Sequence, residues 1–427
     1  MGAAYIASHP VLQMPLVIKT FKASVDENIF REAHLAARVT SPNVVSVLDA
    51  GYEANTPFVI QRYIDGIDLE ELIKHLKQTD WHLPVDMICH ILIDVARGLH
   101  AIHQAGVIHR DVKPANLFLC GSGIASVGDF GIAFDPVKEE RKQYGAGTPM
   151  FMSPEQWEPG GTLGRYTDIY ALGATAHLLA TEHYPFEVQS FKELKDAHLY
   201  RPYRAPEAKE PGEAYLFSVI ERAMRKRPEE RFTNAGELAR VLKVVAQPFP
   251  QIICTGPDQA RVRDVRVELV LGDLSQQEGD VIVNAANKQL TMREGVADAL
   301  RLAGGPSLEQ EAMTQAPVPM GTVIWTGAGQ LHARWVAHAV AAIGGAVCLQ
   351  RATLRALLGA EVRRAQSILF PALGTGVGVV PMDLAAKLIL EAIRTFAALQ
   401  PAYIRNIRIV LYDERGLARW RTVMNSM

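Results

Sequence analysis

One stretch restricts this chain more than any other: "HRDVKPANLFL" (109–119), followed by "VGDFGIA" (127–133). It sets down two aspartates, Asp111 and Asp129, with Lys113 and Asn116 between them. Moving a phosphoryl group onto a hydroxyl asks for the same donor set: an acceptor for the hydroxyl proton, hard oxygen ligands for Mg²⁺, and a cation against the phosphates. The reading requires Asp111 and Asp129 to converge around a single nucleotide.

The rest of the chain can support such a site. Its 427 residues suffice for two or three cores, and 48% hydrophobic with 21% charged residues is a globular rather than a disordered composition. The net charge is −2 and no Lys/Arg run occurs, which argues against a duplex nucleic-acid footprint. Cys89, Cys120, Cys254 and Cys348 include no CxxC and read as reduced, mostly buried thiols of a cytoplasmic protein. The apolar run 169–180 is too short to span a bilayer, and no signal-peptide pattern opens the chain.

Helical periodicity stops at "VVAQPFPQIICTGPDQARVR" (244–263), where two prolines frame Phe249 and a Gly-Pro follows. That punctuation divides the chain into a first unit, 1–246, a linker, 247–263, and a second unit, 264–427. The first unit opens strand-rich ("LVIKTF", "TPFVIQRYI") around one helix, "ENIFREAHLAARV", and turns helical from Asp86, with Gly106 closing the long helix. In the second unit strands and helices alternate from "VRVELVLGD" to "IRIVLYD", the pattern of an α/β/α sandwich on a mainly parallel sheet.

With His109-Arg110-Asp111, Asn116 and Asp129-Phe130-Gly131 in this order, the first unit resembles the protein kinases, in particular the eukaryotic-like Ser/Thr kinases of bacteria. The resemblance implies a bilobal α+β fold that binds ATP and Mg²⁺ and acts on protein hydroxyls. It makes Asp111 the catalytic base and sets Lys113 on the transferred phosphate, as in Ser/Thr-specific members. It gives Asn116 and Asp129 to the metal, and Lys19 of "LVIK" to the α/β-phosphates with Glu32 of "FREAHL" as its ion-pair partner. "YIDGIDLEEL" becomes the hinge exit, with Tyr63 at the ATP site and Asp68 at the ribose. Glu155 is expected to pair with Arg231, and Asp168 to brace the catalytic loop. His100 and His103 read as helix-surface or core residues rather than zinc ligands.

Two departures from the family pattern stand out. "MGAAYIASHP" overlays only the end of the phosphate-covering glycine loop, with Gly2 on its third glycine; a start lying further upstream is expected, and a naturally short lobe with weak ATP binding is the alternative. The second lies in "IAFDPVKEERKQYGAGT", whose only hydroxyls are Tyr144 and Thr148. Asp135, Glu139 or Glu140 is expected to supply a fixed negative charge in place of a phosphorylated switch residue. An inactive kinase-fold scaffold is the alternative reading of the whole unit.

The second unit sets "GD", "NAAN", "GVADAL", "GTVIWTGAGQL", "PALGTGVG" and "VLYD" in the order of the macro domains, which it resembles. The resemblance implies an ADP-ribose site in which Asp273 takes the adenine and Asn284 and Asn287 line the distal ribose. Gly295 and Val296 complete the first phosphate loop, and Gly374, Thr375, Gly376, Val377 and Gly378 wrap the diphosphate. "TMRE" (291–294) replaces the family's glycine run, and Ala297 stands where hydrolytic members carry an aspartate. Asp298, about 100° further round a helix, should point away from the site, so binding rather than hydrolysis of ADP-ribosyl groups is expected.

Overall fold

The computed structural model describes residues 3–11, 14–21, 33, 36–79, 81–129, 148–209, 211–343, 346–376 and 380–427. The first lobe is an antiparallel sheet of β1 (Ala4–Ser8), β2 (Pro15–Thr20), β3 (Val47–Glu53) and β4 (Thr56–Arg62), ordered β1-β2-β4-β3. Ala54 and Asn55 both take positive φ (46° and 63°), so a two-residue turn closes the β3–β4 hairpin in the sense that matches strand twist. β5 (Gly66–Asp68), β6 (Leu117–Cys120) and β7 (Ala125–Val127) form a second small sheet. A Cβ on Gly66 would sit 2.2 Å from the Leu119 carbonyl oxygen, so only glycine lets the connecting segment pass there.

The helical lobe contains α1 (Leu69–Leu76), α2 (Val85–Gln104), α3 (Pro154–Trp157), α4 (Arg165–Thr181), α5 (Phe191–Tyr200), α6 (Pro211–Ala223) and α7 (Ala235–Leu242). α2 starts behind Pro84 and ends at Gly106 in the left-handed conformation (φ 77°), the stop expected from its sequence. α4 is apolar on nearly every side and lies in the middle of the lobe. Beside it Arg231 grips Glu155 through two bonds of 2.9 Å, both side chains buried.

The second unit is built on an eight-stranded sheet: β8 (Ile253–Gly256), β9 (Gln259–Val262), β10 (Val265–Leu271), β11 (Val281–Ala285), β12 (Val323–Gly327), β13 (Trp335–Ala339), β16 (Ser367–Pro371) and β17 (Asn406–Leu411), with β14 (Ala342–Ile343) and β15 (Ala346–Val347) as a separate ladder. The order is β12-β13-β11-β16-β17-β10-β9-β8, the middle five being parallel. Ile282, Leu369 and Val410 enter one apolar cluster, while their neighbours Val281, Ile368 and Ile409 enter another, so strand alternation builds a core on each face. α8 (Gly295–Gly304) and α9 (Pro306–Met313) contribute to the first core; α10 (Leu349–Val362) and α11 (Met382–Ala398), joined by α12 (Glu414–Ser426), build the second.

Two expectations need correction. The stretch 247–263 is not all linker, because β8 and β9 form a hairpin that extends the sheet, β9 running antiparallel to β10. The Gly256-Pro257 signal is the turn of that hairpin, since turn chemistry looks the same between strands as between domains. Cys254 is exposed rather than buried.

The two units also share packing. Trp81 meets Phe396 edge-on at 6.0 Å and donates from Nε1 to the Leu399 carbonyl at 3.0 Å. Thr395 Oγ1 donates to the Gly121 carbonyl at 2.6 Å, and Arg263 pairs with Asp86 at 2.5 Å. No helix among the described residues is long and apolar enough to cross a membrane.

Buried polar groups in each unit make its stability testable. Glu155→Gln leaves the Arg231 guanidinium without its counter-charge, and should destabilise the first unit by about 3–5 kcal/mol in urea unfolding. His338 is fully buried, with Nδ1 accepting from Asn284 Nδ2 (3.0 Å) and Nε2 facing Thr326 Oγ1 (2.9 Å), and burial lowers its pKa to about 4. An unfolded histidine protonates near 6.5, so as pH falls from 6.5 towards 4 the unfolded chain takes up this proton first and stability is lost. The group accounts for roughly 3 kcal/mol across that window. A His338→Gln variant should show a flatter dependence of melting temperature on pH between 6.5 and 4 than the parent.

Candidate functional site

In the first unit the stretch that carries the candidate catalytic residues hangs from one buried carboxylate. Asp168, on α4, accepts the backbone N–H groups of His109 and Arg110 at 2.8 Å each, and meets His103 Nε2 at 2.7 Å. His109 Nε2 reaches the Gly128 carbonyl at 2.8 Å, joining this loop to the residue before Asp129. From α3, Gln156 Nε2 donates to the Arg110 carbonyl at 2.9 Å. Arg110 and Asp129 hold positive φ (68° and 56°), a conformation that costs non-glycine residues energy and persists because neighbouring contacts fix it.

These restraints bring the functional side chains together. Lys113 Nζ lies 2.8 Å from Asp111 Oδ2, and Asn116 Nδ2 donates to the Asp111 carbonyl (2.7 Å) and to its Oδ2 (3.0 Å). Lys19 on β2 pairs with Asp129 Oδ1, the two side chains being 22% and 34% exposed and so open to a ligand. With Asn116 Nδ2 spent on Asp111, its side-chain oxygen is the end available to a cation. Such hard oxygen donors suit Mg²⁺ shared with phosphates. Asp68 caps α1 by accepting from Glu71 N at 2.8 Å.

Tyr63 is placed differently from the expectation. Its side chain is 8% exposed and lies in one apolar cluster with Ala286, Leu290, Val340 and Cys348 of the second unit, so any part it plays toward ATP is left to its backbone. Burying an aromatic ring against another domain gains more than exposing it beside a cleft. Gly2, Glu32, Val377, Gly378, Asp135, Glu139, Glu140, Tyr144 and the side chain of Thr148 lie outside the described residues.

In the second unit the candidate residues gather at the carboxyl ends of the parallel strands. β10 and β17 run in register, Leu271 beside Leu411, so Gly272-Asp273 and Tyr412-Asp413 emerge side by side. Asp273 is exposed, its Oδ1 accepting from Ser275 N (2.8 Å) and Oγ (2.9 Å). Tyr412 is 88% exposed. Sequence reasoning did not select it, although an aromatic directly after a buried strand in "VLYD" was the available signal.

After β16, Gly374 takes φ 78° and Thr375 Oγ1 donates to the Ala372 carbonyl at 2.8 Å; a Cβ on Gly376 would meet open space. Gly295, with φ 56°, and the exposed Val296 start α8, whose first N–H groups suit an anion.

Asn284 does not line this opening. It is fully buried in β11, where strand alternation turns it inward onto His338. Asn287 closes a loop on Thr291: its Nδ2 donates to Thr291 Oγ1 (2.7 Å) and its Oδ1 accepts from Thr291 N (3.1 Å). Thr291 opens the stretch that replaces the glycine run, and its hydroxyl takes up the amide. Ala297 is buried, and Asp298 is tied to Arg301 at 2.5 Å.

Comparison with known proteins agrees with this division. Residues 1–249 match the protein kinase domain family and residues 283–389 the macro domain family. The serine/threonine-protein kinase PknH of Mycobacterium bovis is 34% identical over 248 residues, covering 56% of this chain and 41% of PknH. PknB of Mycobacterium leprae is 30% identical over 253 residues, covering 56% and 40%. The chain thus spans about two fifths of the length of these curated relatives. Among solved structures, a mutant of the Mycobacterium tuberculosis PknI kinase domain is similar at 29% identity and TM-score 0.45, covering 58% of this chain and 91% of that one. An Oceanobacillus iheyensis macrodomain with ADP is similar at 30% identity and TM-score 0.37, covering 39% and 94%. A match over more than half the chain, on the residues that converge around Asp111, gives the family: this chain belongs to the protein kinases and joins its kinase domain to a macro domain.

Proposed function

We propose that the chain is a cytoplasmic protein-serine/threonine kinase that uses ATP and Mg²⁺, and that its macro domain binds ADP-ribose or ADP-ribosylated protein without hydrolysing it. The observation that carries the kinase reading is the cluster of Asp111, Lys113 and Asn116 together with the Lys19–Asp129 pair, the two stretches being tied by Gly128, which donates its N–H to the Asn116 backbone carbonyl and whose own carbonyl meets His109 Nε2. Asp111 accepts the proton of the attacking Ser or Thr hydroxyl as that oxygen bonds to the γ-phosphorus and the bond to the ADP oxygen breaks. Lys113, within reach of Asp111, holds the transferred group as its charge spreads. Lys19 exchanges its Asp129 contact for the α/β-phosphates. That frees Asp129, with the Asn116 carbonyl oxygen, to hold Mg²⁺, which supplies charge neutralisation on the phosphates when bound. Asp168 acts through the backbone it holds and is a positioning residue.

For the macro domain, Asp273 and Tyr412 offer an acceptor and a stacking face for adenine, and the loop at Gly374 and the start of α8 offer N–H groups to the diphosphate. Hydrolysis lacks a carboxylate at Ala297, has Asp298 tied to Arg301 and has Asn287 tied to Thr291. Duplex nucleic acid is not an expected partner, given the absence of a basic run.

Two experiments test these readings. Asp111→Asn should lower transfer of radiolabelled γ-phosphate to a protein acceptor by about 10²–10⁴-fold, with ATP affinity within about twofold of the parent; full turnover in the variant would contradict the base assignment. In calorimetry Tyr412→Ala should weaken ADP-ribose binding by about tenfold, and Asp273→Ala by about 10–100-fold. Unchanged affinity in both would move the adenine elsewhere, and release of ADP-ribose from a modified protein would overturn the assignment as a binder.

A further inference from the structure

The hinge of the kinase domain and the loop before α8 of the macro domain meet in one apolar cluster. The segment from Tyr63 to Asp68 joins the lobes of the kinase domain, and the macro domain covers it. Tyr63 belongs to one buried apolar cluster with Ala286 and Leu290, which flank Asn287 in the loop leading to α8, and with Val340, just past β13. Val17, two positions before Lys19 on β2, packs against the same cluster.

Charge reinforces this contact. Asp65 spends both carboxylate oxygens on the first turn of α10, accepting from Gln350 N at 2.9 Å and Arg351 N at 2.8 Å. The helix's own N-cap, Cys348, supplies no side-chain cap, so a hinge residue of one domain caps a helix of the other. One turn on, Arg355 forks onto Glu71 with bonds of 2.5 and 2.7 Å and donates to the Gly321 carbonyl at 2.8 Å. Away from the hinge, Trp81 on Leu399, Thr395 on Gly121 and Arg263 on Asp86 fasten the macro domain to the helical lobe. With its body anchored there, the macro domain keeps its 286–290 loop in the cluster that buries Tyr63 of the hinge.

We propose that ADP-ribose in the macro domain is an allosteric effector of the kinase domain, tightening ATP binding, and that ATP tightens ADP-ribose binding by the same factor. The inference rests on the ADP-ribose reading above. Each ligand would order one side of this hinge interface, so the second to bind meets an interface already ordered. Reciprocity follows because one coupling free energy links both binding events.

The test uses the full chain and two titrations. ADP-ribose binding is measured alone by calorimetry, and the affinity for a non-hydrolysable ATP analogue with Mg²⁺ is then measured with and without saturating ADP-ribose, and in the reverse order. About fivefold or greater tightening in both directions is expected, and it should vanish in Asp273→Ala. Glu71→Gln should bring the coupling factor towards one while leaving each ligand's separate affinity within about twofold, and the charge-swapped pair Glu71→Arg with Arg355→Glu should restore it. ADP-ribose binding with unchanged or weakened affinity for the analogue would overturn the coupling and leave the ADP-ribose reading standing. No ADP-ribose binding at all would overturn that reading and the coupling with it.

Discussion

Everything proposed for the kinase site depends on one carboxylate that never meets substrate. Asp168 is completely buried on the central helix α4 and accepts two successive N–H groups of the catalytic loop. A buried carboxylate is tolerable only when its lone pairs are satisfied, and here the loop satisfies them together with His103. The same bonds force Arg110 into the left-handed region and direct Asp111 toward Lys113 and Asn116. The strain is local, and the restraint comes from a helix buried along most of its length.

Asp129 of the Lys19–Asp129 pair stands one residue beyond Gly128, which is bonded to the loop. A lysine and an aspartate that neutralise each other without ligand can both be recruited when phosphates and a divalent cation arrive together, so the domain need not hold an unpaired charge in the meantime. Among the described residues no group of three or more His, Cys, Asp or Glu side chains forms a metal cage. An ion shared with the nucleotide, held by one carboxylate and one amide oxygen, needs no such cage.

Much of this was legible in the sequence because the chemistry fixes residue type and order over short spans. Asp111, Lys113 and Asn116 lie within a single loop, and the Glu155–Arg231 pair and the Asp168 brace stand where the family resemblance set them. The macro sheet was legible through its apolar strands, each followed by a polar or glycine turn. What escaped depended on direction or on distance along the chain. Asn284 and Asn287 have the same side chain three positions apart, but strand alternation buries one and the loop exposes the other to Thr291. The β8–β9 hairpin was hidden by Gly-Pro, which serves linkers and turns alike. The contact of Asp65 with α10 crosses 285 positions and has no local signature.

That contact changes how the chain is understood, since the two domains form one packed body rather than beads on a tether. The decisive measurement for the kinase site is a crystal structure of the chain with a non-hydrolysable ATP analogue and Mg²⁺. It should show Lys19 moved from Asp129 onto the α/β-phosphates, the cation held by Asp129 and the Asn116 carbonyl oxygen, and Asp111 facing the γ-phosphate. A nucleotide bound elsewhere, or Lys19 still paired with Asp129 beside a bound nucleotide, would contradict this assignment.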